Sequence, residues 1–333
     1  MMVLRIGVLG AARINRSALL SPARRTSGVA IAAIAARDPE RATSYARRHS
    51  IPIVHHTYEA ILQDPDIDAV YVPLPAALHG TWTLAAIAAG KHVLCEKPFT
   101  ANADEARAVR AAAEGSGLVI MEAHHTSFHP FTARLRDVVR SGELGDIRSA
   151  SAWFHAPIPP GNDIRWDRGL GGGSVMDLGV YPVRLIRDVI GEPTVRSAVA
   201  LRRGDIDRRM TAHLDIEGID ARVDCGMWSS RPFALGFEVV GSRARMRVAW
   251  PYHPQAGGRI RIDGPQVRRR ERADRKSSYR YQLEAFRDAI SAGVENLHGV
   301  DEAVATMDVV DDIYRASGMN PRRPLMPPPT AMI

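Results

Sequence analysis

Val3-Leu4-Arg5-Ile6-Gly7-Val8-Leu9-Gly10-Ala11-Ala12-Arg13-Ile14-Asn15 decides the fold. An apolar strand, Val3 to Leu9, runs through a glycine turn into a helix expected over Asn15 to Ser27. Backbone amides and the positive end of a helix dipole meet at such a turn, where they can hold a pyrophosphate. Set against G-x-G-x-x-G, the positions are Gly10, Ala12 and Asn15, so only the first glycine remains. The spacing alone is weak, and its place at a strand–turn–helix near the start of the chain strengthens it.

Outward from this unit the same alternation repeats. Val29 to Ala35 is the second strand, and Pro39 to His49 the second helix, with Asp38 as its cap and Pro39 at its first position. Then come Ile53-Val54, a helix at Tyr58 to Leu62, a strand at Ala69 to Val72 and a helix at Thr81 to Ala89 ended by Gly90. His92 to Cys95 and Val119 to Glu122 supply further strands around a helix at Ala103 to Glu114. Strands alternating with alanine-rich helices predict βαβ units and a parallel sheet.

After His129-Pro130 the pattern changes. A helix at Phe131 to Ser141 is followed by strand-like segments at Arg148–Phe154, Arg196–Arg202, Met210–Ile216, Ala221–Trp228, Phe237–Val240 and Ala244–Val248. Short turns at Glu217-Gly218 and Gly241-Ser242 predict a mostly antiparallel sheet. Helices at Ser174–Ile190, Tyr279–Ser291 and Asp301–Ala316 would cover one face. No internal repeat is evident, and the Pro-rich end, Pro321 to Pro329, reads as irregular or extended. The expected division is residues 1–125, α/β and dinucleotide-binding, and residues 126–333, α+β, for substrate binding and oligomerisation.

A length of 333 residues suits two domains, and 45% hydrophobic with 24% charged residues is an ordinary globular composition. No stretch approaches the roughly 18 apolar residues of a membrane span. The chain enters its first strand without a charged leader. Its two cysteines, Cys95 and Cys225, are far apart and read as reduced thiols, so a cytoplasmic location is expected. His55-His56 and His124-His125 lack Cys or carboxylate partners at ligand spacing, and no metal is expected. The net charge of +7 is spread over the whole length. Only Arg268-Arg269-Arg270-Glu271-Arg272 forms a run, without aromatic residues, and reads as a solvated face. Nucleic acid is not expected as a partner; a basic surface suits a phosphorylated cofactor or an anionic substrate.

The end of the second strand bears on the cofactor. NAD-specific sites place a carboxylate there for the ribose 2′-hydroxyl. This chain reads Ala35-Ala36-Arg37-Asp38, with Ala36 at the acid's place and Arg37 beside it. Losing the acid removes repulsion of a 2′-phosphate, and a guanidinium suits phosphate oxygens. NADP is therefore expected, with NAD as the lesser option; the plainer reading is a capping Asp38 next to a surface arginine.

Lys97 is one of three lysines, with Lys91 and Lys276, in a chain with 44 Lys+Arg. It lies in Cys95-Glu96-Lys97-Pro98 at the end of a strand, where open α/β sheets deliver their chemistry. An amine can be tuned by its surroundings and a guanidinium cannot. A second cluster is Asp163-Ile164-Arg165-Trp166 with Gly171-Gly172-Gly173-Ser174-Val175-Met176-Asp177-Leu178-Gly179-Val180-Tyr181-Pro182. The glycines allow close backbone approach to a ligand. With a helix from about Ser174, Asp177 and Tyr181 are i and i+4 on one face, and Pro182 predicts a kink just beyond. Without context, a capping Asp and a core Tyr would explain the same residues.

Glu96-Lys97-Pro98 together with Gly171-Gly172-Gly173…Asp177-x-Gly179-x-Tyr181 resembles the Gfo/Idh/MocA oxidoreductase family. The resemblance extends through Val72-Pro73-Leu74-Pro75…Leu78-His79, Lys91-His92-Val93-Leu94 and Met121-Glu122-Ala123 to the sheet segments. It implies a Rossmann domain, a C-terminal open sheet that assembles homodimers or homotetramers, and hydride transfer between a nicotinamide and a carbinol or ketone carbon, commonly of a sugar. A cis Lys97–Pro98 peptide is implied too. Inositol-dehydrogenase-like members have His at the position of Tyr181. Tyrosine there is similar to the branch of glucose–fructose oxidoreductase, dimeric dihydrodiol dehydrogenase and the sugar 3-ketoreductases. The implied cofactor contacts are Gly10, Ala11, Ala12, Arg13, Ile14, Ala36, Arg37, Arg41, Leu74, Pro75, His79, Glu96, Lys97 and Pro98. In the implied chemistry Tyr181 protonates a ketone oxygen and Lys97 lowers the pKa of Tyr181 while holding ribose and substrate hydroxyls. Asp177 orients the substrate, and His124, Arg165 and Trp166 line its pocket. Tyrosine with NADPH favours the reductive direction. The chain departs from this branch at Ala76, where Asn is common, and at His124-His125-Thr126-Ser127-Phe128, where an aromatic residue and Tyr-Arg are usual. The competing functions are an NAD-dependent glycosidase and a non-catalytic cofactor-sensing regulator on the same fold.

Overall fold

The computed structural model describes residues 3–294, 296 and 298–325. The chain divides into two compact units. Among the described residues, the first takes in those up to Ala123, then Tyr279–Val304 and residues 323–325; the second is His124–Ser278 with Ala305–Arg322. This differs from a single cut at 125/126, because the chain returns to the first unit late in its course. Arg287 Nη1 donates to Ser27 O at 2.9 Å, Asn296 Nδ2 to Ile120 O at 3.3 Å, and Arg110 pairs with Asp301 at 3.7 Å.

The first unit is built on six parallel strands: β1 (Leu4–Leu9), β2 (Val29–Ala35), β3 (Ile53–Val54), β4 (Ala69–Val72), β5 (His92–Glu96) and β6 (Ile120–Ala123). Their order is β3-β2-β1-β4-β5-β6, so the winding reverses between β1 and β4, which opens a crevice at the carboxyl ends of those strands. Between β1 and β2 the helix expected over Asn15 to Ser27 is shorter, a π-helical turn at Arg16–Leu20 running into Ser21–Ala23, and helices Pro39–His49 (α1), Tyr58–Gln63 (α2), His79–Ala88 (α3) and Ala103–Ala113 (α4) join the other strands. The strands read as unbroken apolar runs because both faces are covered; Ile6, Val8, Ile34, Val70, Val72, Val93 and Leu94 are fully buried.

The second unit carries helices Pro130–Arg140 (α5) and Val180–Val189 (α6) and an eight-stranded sheet. Its strands are β7 (Ile147–His155), β8 (Thr194–Arg203), β9 (Ile206–Ile216), β10 (Ile219–Gly226), β11 (Ala234–Gly241), β12 (Arg245–Ala249), β13 (Arg259–Asp263) and β14 (Arg268–Arg272), in the order β14-β13-β12-β11-β7-β10-β9-β8. All neighbours are antiparallel except β7 and β10, which run parallel at the centre. Helix α6 covers one face, where Ala150, Ala152, Val223 and Cys225 are buried. The last two strands are an addition to the sequence reading. In β13 Arg259 and Arg261 face out while Ile260 and Ile262 are buried, and Arg268, Arg270 and Arg272 of the basic run are exposed along the edge strand. Helices α7 (Ser278–Ala292) and α8 (Val300–Ala316) follow. Residues 321–325 have no regular structure, and 326–329 of the Pro-rich end lie outside the described residues.

Candidate active site

In the first unit, Gly10 ends β1 at φ +120°, and a Cβ there would meet Leu74 Cδ2 at 3.2 Å. Asn15, fully buried, donates through Nδ2 to Gly10 O at 2.8 Å, which holds the turn without the missing glycines. Arg41 Nη2 donates to Ala11 O at 2.8 Å and braces the turn from behind. Ala11 is buried, Ala12 and Ile14 are half-buried and Arg13 is exposed. Asp38 accepts from Glu40 N at 3.0 Å and Arg41 N at 3.2 Å, so its carboxylate caps α1 as the plainer reading had it. Ala36 is buried and Arg37 is exposed beside it. Burial pushes the Tyr58 phenol up, while a hydrogen bond with the Arg37 backbone and the charges of Arg37 and Arg41 pull it back. The turn fits a dinucleotide: only glycine suits the conformation at residue 10 and the space under Leu74, and the cations at 37 and 41 suit a phosphorylated ribose.

The loop after β5 is built from buried partners. Lys97–Pro98 is cis, as the family resemblance implied. Glu96 is buried and accepts from the Tyr71 hydroxyl at 2.6 Å; Lys97 is half-buried. Glu122 Oε1 takes the Phe99 amide at 3.0 Å, and Glu105 Oε2 takes the Ala101 amide at 2.8 Å. His79, expected to contact the cofactor, is only 1% exposed, with Nδ1 2.7 Å from Pro98 O and Nε2 2.7 Å from Leu74 O. Burial drives its pKa down to about 4 against the pull of the two carbonyls, and the ring lies between the Leu74 and Pro98 loops, where as a neutral imidazole it donates to one carbonyl at a time.

In the second unit, the glycine run is packed against backbone and a buried charge cluster. A Cβ on Gly172 would sit 2.5 Å from Arg165 O, and Gly173, at φ +135°, faces Asp207, Tyr314 and Arg322. Asp207 and Arg322 are 0% and 1% exposed. Asp207 accepts from Ser174 Oγ and Val175 N (both 2.9 Å), Tyr314 Oη (3.0 Å) and Arg322 Nη2 (2.5 Å). Arg322 Nε also donates to Gly172 O at 2.7 Å and its guanidinium lies 4.3 Å from the Tyr314 ring centre. A carboxylate from β9 thereby caps the helical segment that carries the motif.

That segment opens with one π-helical turn, Val175–Gly179, before α6. The distortion expected at Pro182 thus lies just ahead of it, where a wider turn accommodates a residue without an N–H. Asp177 Oδ2 receives Arg165 Nε at 2.7 Å, and Arg165 Nη1 also reaches Asp163 at 3.2 Å. Tyr181, 6% exposed, turns into a different environment. Its ring centre lies 5.0 Å from His124, 5.7 Å from His125, 5.6 Å from Phe154 and 5.7 Å from Tyr252. Its hydroxyl is 3.4 Å from His125 Nε2. Trp166 has the Arg203 guanidinium 6.0 Å from its ring. The sequence reading missed His125, Phe154, Tyr252, Asp207 and Arg322. The doubled histidine at 124–125, a departure from the family pattern, was the available signal for the first; nothing in the local sequence marks the others.

Residues 4–124 match the model of the "Oxidoreductase family, NAD-binding Rossmann fold", and residues 132–247 that of the "GFO/IDH/MocA C-terminal domain". D-xylose 1-dehydrogenase (NADP(+)) 2 of Haloferax volcanii is 38% identical over 317 residues, 93% of this chain and 96% of that protein. A dTDP-3,4-didehydro-2,6-dideoxy-alpha-D-glucose 3-reductase of Streptomyces violaceoruber is 36% identical over 79% of this chain and 78% of its own. The crystal structure of a 3-ketoreductase from Actinomadura kijaniata, in complex with NADP and TDP-benzene, superposes with a TM-score of 0.88 at 29% identity, covering 94% of this chain and 98% of that one. Fold, motifs and relatives agree, and the chain belongs to the Gfo/Idh/MocA oxidoreductase family.

Proposed function

We propose that the protein is an NADP-dependent oxidoreductase that interconverts a secondary alcohol and a ketone on a sugar or sugar-like molecule. The observation that carries this reading is Tyr181: a phenol at the family's acid/base position, buried among aromatic and imidazole rings, following a glycine run fixed by Asp207 and Arg322. The relatives' names, a xylose dehydrogenase and a dTDP-sugar 3-reductase, supply the sugar and the NADP.

When bound, the nicotinamide cofactor supplies or takes up the hydride. The protein's own residues do the rest. The Gly10 turn and Arg37 hold the dinucleotide, with Arg41 bracing the turn from behind. Lys97, on a loop locked by Glu96, Glu105, Glu122 and His79, presents its amine to ribose and substrate hydroxyls. Asp177, paired with Arg165, orients the substrate, with His124 and Trp166 along its pocket. Tyr181 gives its proton to the ketone oxygen. A free phenol, with pKa about 10, is a ready acid at neutral pH, which favours reduction. The xylose dehydrogenase relative favours the reverse direction as a second reading. The open face of the eight-stranded sheet, with Val199 65% and Leu201 42% exposed on β8, is the surface we assign to self-association.

The test is a side-by-side fluorescence titration with NADPH and NADH, followed by a screen of keto-sugars and polyols with the preferred cofactor. NADPH should bind more tightly, and Arg37→Ala should weaken it by about 1.5–3 kcal/mol while leaving NADH nearly unchanged. Tighter binding of NADH by the unmodified protein would overturn the cofactor reading.

A further inference from the structure

Tyr181 has a base at its hydroxyl that the reading above does not use. His125 Nε2 lies 3.4 Å from Tyr181 Oη, and both side chains are buried. On the other side of the ring, His125 Nδ1 is 2.8 Å from Ser278 Oγ, and Ser278 donates its hydroxyl hydrogen to Gln255 Oε1 at 3.2 Å. With that hydrogen committed, Ser278 can only accept from the imidazole. Nδ1 therefore carries the hydrogen, and the lone pair of Nε2 faces the phenol. A separation of 3.4 Å is long for an O–H···N bond, and catalytic hydrogen bonds commonly shorten when substrate binds.

The groups around the ring come from several elements of the second unit. Tyr181 faces it from α6 and Ser278 from the start of α7. His253, from the segment after β12, stacks on it at 5.4 Å and 21°, and His124 and Thr126 flank it on its own segment. Phe154 and Tyr252 enclose the phenol, and burial holds Tyr252 well above the ordinary phenol range, so it stays neutral. Two stacked imidazoles disfavour a charge on both, which keeps a lone pair available at Nε2.

We propose that His125 is the proton-relay partner of Tyr181, with Ser278 fixing its tautomer, so that the enzyme also oxidises alcohols at neutral pH. The proposal rests on Tyr181 being the acid/base group. In oxidation the substrate hydroxyl proton passes to Tyr181 Oη as the phenol's own proton passes to His125 Nε2. The electron pair leaves the carbinol carbon as hydride for the oxidised nicotinamide cofactor, the C=O bond forms, and the imidazolium releases its proton to water. Ketone reduction runs the same transfers backwards, starting from the imidazolium.

The pH profile tests this. In the wild type, oxidation should rise and reduction should fall with increasing pH along one shared limb. His125→Gln should lose that limb in both directions and be about 100-fold slower in oxidation at pH 7, recovering only at alkaline pH as the phenol ionises unaided. Free imidazole should restore part of the rate to His125→Ala. By NMR, one histidine resonance should disappear in His125→Gln and change its titration in Tyr181→Phe, without any cofactor present. If His125→Gln binds NADPH poorly or loses its circular dichroism, Ser278→Ala decides instead: it keeps the ring, frees the tautomer and should shift the limb. An unchanged limb in a folded variant overturns the relay. Full activity of Tyr181→Phe would instead overturn the underlying reading.

Discussion

The loop after β5 and the segment leading into α6 each present one side chain to which we assign the chemistry, Lys97 and Tyr181, and they are held by different means. Around Lys97 the restraints are backbone groups caught by buried neighbours: the Phe99 amide by Glu122, the Ala101 amide by Glu105 and the Pro98 carbonyl by His79. Most of these partners lie within about one βαβ unit. Around Tyr181 the frame is assembled from distant chain: β9 supplies Asp207, the end of the second unit supplies Arg322, and the histidine pair follows β6. A parallel sheet delivers its loops to one edge by topology, so local partners suffice there. A helix entering over a glycine run has no such template, and a fully buried ion pair defines its start.

The sharpest way to break the comparison is Tyr181→Phe. The ring's packing stays and only the hydroxyl goes, so folding and NADPH binding should hold while turnover falls by roughly 10²–10⁴. Activity within about threefold of wild type would show that the proton comes from elsewhere. Next, Arg322→Met should destabilise the protein by about 3–5 kcal/mol, because Asp207 is left buried without its cation. Adding Asp207→Asn to Arg322→Met should recover part of that loss in urea unfolding; strict additivity of the two changes would mean that they do not act as a pair.

On the other side, Lys97→Ala should lower turnover at least ~100-fold with the fold unchanged, and Lys97→Arg should not rescue it. An arginine variant with full activity would reduce the site's demand to a positive charge. The smallest effect belongs to Glu105. Burial drives its carboxyl up to about 7 from an ordinary value of about 4.5, despite the amides of Ala101 and Thr81 that it accepts from. A pKa raised by folding means stability that is full below about pH 4.5 and lost as pH rises through 7. Glu105→Gln removes that titration. Measured against the wild type, the variant should fare roughly 1–3 kcal/mol better at pH 8 than at pH 4, read from urea midpoints at the two pH values. Equal differences at both pH values would show that the loop is not held by a strained carboxylate.

The fold was legible where structure is periodic. Alternating apolar runs and alanine-rich helices gave the six parallel strands within a residue or two, and Asp38-Pro39 marked the start of α1. Strands β13 and β14 escaped because arginine at alternate positions reads as a solvated run, although Ile260 and Ile262 between them are buried. The late return of Tyr279–Val304 to the first unit has no local sign at all.

By itself the sequence determined the two fold classes, the strand-end Lys97, the family, and a tyrosine placed after a glycine run. Those are properties of residue type and short spacing. Only the tertiary structure decided what surrounds each of them. His125 reaches Tyr181 across 56 positions, Asp207 reaches Ser174 across 33, and Arg322 reaches Gly172 across 150. It also placed His79 behind its loop, where both nitrogens face backbone carbonyls. Periodicity records which face of an element is buried. Which side chain meets which across the core depends on chain paths that no short window of sequence contains.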